Sequence, residues 1–228
     1  MTAYDVALRL PAIPELRGLC RSLAVLDVVL DPDSEDRHHL YDAEWAHDEQ
    51  LASKRDGAGN EYSIVFTAAG AYVRGFDHES PMSPYATDDG EPWPGVLDSV
   101  PDAFRACVEE PAFSDEFGTP YATVCLWREH ADDAWRHGDI VFPGGDQDGA
   151  DWLFGLLTDG TPEAFQEWAQ DYYEKPVDLD AVRHVYAGHP LTADVVTTLN
   201  AATTLTAVAD DIVRIGYPIR RHPVPSSA

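Results

Sequence analysis

Lysine is almost missing from this chain. Only Lys54 and Lys175 occur among 228 residues, and the remaining basic residues are arginines. The 15 basic residues face 41 acidic ones, for a net charge of -26 and a pI near 4.3. Such a surface repels nucleic acid and anionic membranes, because the long-range electrostatic term has the wrong sign for both. Long apolar runs are missing too, and nothing approaches the roughly 20 residues that a membrane-spanning helix needs. The N-terminus, Met-Thr-Ala-Tyr-Asp, lacks the basic and apolar regions of a secretion signal. Cysteine is scarce. Cys20, Cys107 and Cys125 are too few and too far apart for a zinc ribbon, a C-x-x-C pair or a disulfide framework. Each lies among apolar residues, which predicts buried free thiols and a cytoplasmic protein.

Sequence motifs of known chemistry are also missing. There is no H-E-x-x-H, P-loop, dinucleotide-type G-x-G-x-x-G or G-x-S-x-G nucleophile elbow. His38-His39 and His47-Asp48 have imidazoles in suggestive places, but no further ligands at helical spacing accompany them. Asp146–Asp151 resembles part of a calcium loop. Aligned on Gly149, however, Gly144 and Gly155 stand where carboxylates are required. That stretch reads instead as the start of a helix, with Asp151 in its first turn. No cofactor and no metal site is assigned.

What is present reads as one α+β domain over residues 1–219, with a loose proline-rich tail at 220–228. After a short lead-in at 1–13, Pro14 and Glu15 start a helix. Leu16, Leu19, Cys20 and Leu23 give it a buried stripe, and it runs to Leu30. Strands follow at 37–44, 50–55, 61–67 and 71–76, with a glycine-rich turn at 56–60. Residues 77–101 carry five prolines and read as a long irregular loop. A short helix at 101–110 leads to strands at 121–128 and 135–142. Helices are then expected at 151–158, from Pro162, at 179–186, and without interruption over 192–215. The fold expected is an antiparallel meander of about five to six strands, with helices mainly on one side and a helical C-terminal third. Trp127, Trp152 and Trp168 all fall on apolar faces and are expected in the core.

The densest group of potentially chemical residues is Asp77-His78-Glu79, where the fourth strand gives way to the loop. Imidazole titrates near neutrality and can act as a base or a ligand. Neighbouring side chains diverge on an extended backbone, so a working dyad needs a sharp turn there. Arg74, Asp77, His78, Glu79 and Trp93 are therefore candidate binding residues, and no catalytic residue is assigned. The first expectation is a non-enzymatic, acidic, cytoplasmic protein of immunity or inhibitor type that binds a basic protein, but neither nucleic acid nor membrane. The alternatives are a small hydrolase or isomerase built on Asp77-His78-Glu79, with or without a metal, and a structural or regulatory protein. In the last case the acidity reflects only salt adaptation.

Overall fold

The computed structural model describes residues 1–144 and 147–220. Its centre is a six-stranded antiparallel meander in sequence order, formed by β1 (His39–Ala46), β2 (Glu49–Arg55), β3 (Glu61–Phe66), β4 (Gly70–Phe76), β5 (Val124–Glu129) and β6 (Arg136–His137). The expected sheet is thus present, and the helical C-terminal third with it. No helix among the described residues is long and apolar enough to cross a membrane.

β4 is buried along its whole length, which places it in the middle of the molecule, and alternation separates its two faces. Ala71, Val73 and Gly75 face the helices. A Cβ on Gly75 would come within 2.9 Å of the Phe154 ring, so only glycine lets the helix end approach this closely. Its cross-strand neighbour Tyr62 stacks on Phe154 from the same side. Tyr72, Arg74 and Phe76 point the other way. They meet Phe104, Phe113 and Tyr121, all supplied by the chain between β4 and β5.

The central helix is α2 (Ile13–Leu30), with most of its residues buried. It lies between the sheet at β1 and the later helices α5 (Gly155–Asp159), α7 (Leu179–Tyr186), α8 (Ala193–Leu199) and α9 (Leu205–Ile215). A helix apolar nearly all round is one covered on several sides. Local capping sets the boundaries of the C-terminal helices. Thr161 caps α6 (Pro162–Tyr172), and Asp178, Thr192 and Thr204 cap α7, α8 and α9, each side chain accepting a backbone N–H of the first turn.

Several boundaries differ from the sequence reading. The lead-in holds a helix, α1 (Ala3–Arg9). Asp5 accepts the Thr2 amide at 2.8 Å and buried Asp148 accepts the Ala3 amide at 2.7 Å, satisfying the exposed donors of its first turn. Residues 192–215 are not one helix. Asn200 leaves helical geometry, and its side-chain amide donates to the carbonyls of Val29 and Leu30 at the end of α2. Thr204 then restarts the chain as α9. The first of the late strands begins at Val124 rather than 121, because the Tyr121 amide bonds to Phe113 instead of β4. The last shrinks to two residues: Gly138 passes against the Gly95 carbonyl, and Ile140 exchanges hydrogen bonds with the Tyr4 hydroxyl. The expected helix at 101–110 is a 3-10 turn at Asp102–Phe104 followed by α3 (Arg105–Val108). The expected helix at 151–158 is split into α4 (Ala150–Leu153) and α5. Trp127 is buried and Trp168 is partly buried, but Trp152 is 40% exposed. All three cysteines are buried and free. The tail at 221–228 lies outside the described residues. Arg220 is held, since its amide bonds to Leu191.

Candidate functional site: the connection between β4 and β5

Antiparallel neighbours can be joined by two residues. In this sheet β1–β2, β2–β3, β3–β4 and β5–β6 are joined by two, five, three and six residues, whereas β4 and β5 are joined by the 47 residues from Asp77 to Thr123. Connections longer than about 12–15 residues are unusual in compact domains. This one has two sides. Inward, Met82, Val96, Val100, Phe104, Cys107 and Phe113 are buried, and Phe104 and Phe113 roof the second face of the sheet. The segment carries eleven carboxylates against one basic residue, Arg105; eight of the carboxylates are exposed, whereas Asp77 turns to Trp152 on the helix side. Tyr85 and Phe117 are 65% and 86% exposed beside them.

The candidate residues fall into separate environments. Arg74 is only 1% exposed. Its guanidinium pairs with Glu61, donates to the Tyr121 carbonyl and to Ser63, and lies 4.7 Å from the Phe113 ring centre. It ties the connection to the sheet and presents no donor to the surface. Trp93, partly buried, donates its indole N–H to the Val141 carbonyl at 2.9 Å, pinning one end of the loop to the chain beyond β6.

Asp77, His78 and Glu79 do sit on a turn, closed by the Ser80 amide on the Asp77 carbonyl, yet their side chains part. Asp77 accepts the Glu79 amide at 3.0 Å and the Trp152 indole N–H at 3.3 Å. It also lies against Gly149, where a Cβ would be 2.5 Å from its own. The His78 ring contacts the Asn60 side-chain oxygen through Nδ1 at 2.7 Å. The Asn60 amide nitrogen donates to the Asp56 carboxylate, which fixes the oxygen toward His78 and hence the proton on Nδ1. Glu79 is exposed. Hydrogen bonds thus lead Asp77 and His78 to different partners and leave Glu79 at the rim.

The other histidines weighed from the sequence divide similarly. His47 and Asp48 form the exposed two-residue turn between β1 and β2, with Asp48 at φ 59°. His39 is buried, with its amide and Nδ1 on Asp27. His38, at 7% exposure, has no hydrogen-bond partner on either ring nitrogen. Burial, reinforced by the nearby His39 and Lys54, pushes its pKa down to about 3. Among the described residues, no group of three or more His, Cys, Asp and Glu side chains is placed to hold a metal ion.

The sequence reading missed Tyr85 and Phe117 as surface groups. The available signal was the length of acidic, proline-punctuated chain around them; nothing in their own spacing distinguishes an exposed aromatic from a buried one. Comparison with protein-family models, curated proteins and solved structures finds no match for this chain.

Proposed function

We propose that this chain is a non-enzymatic, acidic binding protein of immunity or inhibitor type, which engages a basic protein through the outer side of the β4–β5 connection. The observation that carries the reading is the surplus of chain between two hydrogen-bonded neighbours, with eleven carboxylates, one arginine and exposed Tyr85 and Phe117. A face that is anionic and also offers aromatic rings suits a cationic partner, by steering and then by contact. The inward residues hold this face in place before binding, which limits the ordering cost. The disposition of the cations supports the same reading. The Lys54 ammonium is on the Trp152 carbonyl and the Lys175 ammonium on the Leu30 carbonyl. Arg37, Arg55, Arg74, Arg136 and Arg183 each pair with carboxylates of this chain, leaving the excess negative charge uncompensated.

The test uses affinity capture from the native host with the wild type and with Asp88→Lys/Asp89→Lys/Glu91→Lys, three exposed positions. The expected result is a basic protein bound by the wild type and lost by the variant at an unchanged melting temperature. Its affinity should fall steeply between about 20 and 200 mM salt. Capture that ignores both the charge reversal and the salt, or no captured partner at all, overturns the proposal.

A further inference from the structure

A cavity of about 490 Å³ opens between the sheet and the helices, on the opposite face from the acidic roof. It is within the range of small-molecule sites, roughly 300–1,000 Å³. His38 and Lys54 line it from the β1–β2 edge, Trp152 from α4, and Trp168 and Tyr172 from α6, with Asp56 at the β2 end. Trp168 and Tyr172 stack on one another, with centres 5.0 Å apart and planes 17° apart, and line that side with aromatic rings. The His38 ring stands about 5 Å from both.

The polar groups are unusual for this protein. In a chain with a large excess of carboxylates, Lys54 has no ion-pair partner among the described residues. Its ammonium donates to the Trp152 and Leu153 carbonyls at 3.1 and 3.5 Å, and lies 5.0 Å from the Trp152 ring centre. An ammonium has three donors, so one is left. The nearest acid in the lining, Asp56, is occupied by the Ala58 amide, the Asn60 amide and the Asn60 side chain. Trp152, which accepts the Lys54 ammonium on its carbonyl, is itself held by Asp77 through its indole N–H. The His38 nitrogens are unpartnered and closed off by the surrounding rings, of which Tyr172 is half exposed.

We propose that this cavity binds a planar aromatic molecule bearing a single carboxylate, with its ring against Trp168 and Tyr172 and its carboxylate on Lys54. The aromatic lining selects an arene. The unpaired ammonium, half removed from water, selects an anion. Only one negative charge is accommodated, because there is one cation, because Asp56 stands beside it, and because the net charge of -26 works against each further one. Burial lowers the Lys54 pKa to about 8, so the ammonium is still mainly charged at neutral pH and an arriving carboxylate strengthens that state. This site is separate from the partner surface, and neither proposal rests on the other.

The probes are 2-naphthoate and its uncharged analogue 2-naphthamide. Titration calorimetry is combined with NMR of the indole N–H signals, assigned with Trp152→Phe and Trp168→Phe. The acid should bind wild-type protein at one saturable site, shift the Trp152 and Trp168 signals, and bind about tenfold or more tighter than the amide. Lys54→Met should remove that preference while keeping weak amide binding. Should Lys54→Met fail to fold, the acid-to-amide comparison on the wild type still decides. Absence of acid binding at about millimolar concentration, stationary Trp152 and Trp168 signals, or equal affinity for acid and amide each overturns the proposal.

Discussion

His38 allows a stability prediction with a definite sign. The folded protein keeps this imidazole neutral, since a proton there would be buried and would face His39 and Lys54, with Asp27 and Asp56 compensating only in part. Its pKa falls from the ordinary 6.5 to about 3 on folding. The unfolded chain therefore binds a proton below pH 6.5 that the folded chain refuses until pH 3, and stability drops as pH falls through that window. A one-proton linkage between these values gives a loss of about 2 kcal/mol from pH 7 to pH 5. Carboxylate titration also changes stability over this range, so the wild type alone is not diagnostic. The informative quantity is its difference from His38→Phe, in which those carboxylates are common to both proteins and largely cancel. Urea denaturation followed by far-UV circular dichroism at constant ionic strength measures it. His38→Phe should match or exceed the wild type at pH 7, because it removes a buried group without hydrogen bonds. It should gain about 2 kcal/mol relative to the wild type at pH 5. Equal losses in the two proteins, within about 0.5 kcal/mol, would show that the imidazole takes up a proton in the folded state and refute the reasoning.

Three further outcomes follow from particular contacts. Arg74→Met strips Glu61 and the Tyr121 carbonyl of their buried donor, and should destabilise by about 3 kcal/mol or more in the same denaturation assay. Gly149→Ala meets both a positive φ of 78° and the Asp77 side chain; a loss of at least about 1–2 kcal/mol is expected, and an unchanged midpoint would refute the placement of Asp77. Asn200→Ala removes the amide that satisfies the Val29 and Leu30 carbonyls and should lower stability by about 1–2 kcal/mol, read as a lower melting temperature.

Where side-chain periodicity is long, the sequence is legible. The alternation in β3 and β4, the apolar stripe of α2 and the Thr-Pro start of α6 each reflect a local preference that agrees with the tertiary packing. The proline-rich segment after Phe76 is recognisable as irregular for the same reason, since a ring nitrogen cannot join a ladder. The lysine deficit and the excess of carboxylates also belong to the sequence alone. Tertiary structure decides the rest. Helical spacing runs through residues 192–215, yet Asn200 serves the end of α2, a demand made by a segment 170 residues away. Arg74 and Glu79 are both charged residues near the end of one strand, and the fold buries the first and exposes the second, because alternation turns Arg74 toward a roof supplied by Phe113. Asp77 and His78 are adjacent in the chain and are led apart by Trp152 and Asn60. The cavity beside Lys54 is assembled from β1, β2, β3, α4, α5 and α6, and no local pattern carries a distance between elements so far apart in the chain.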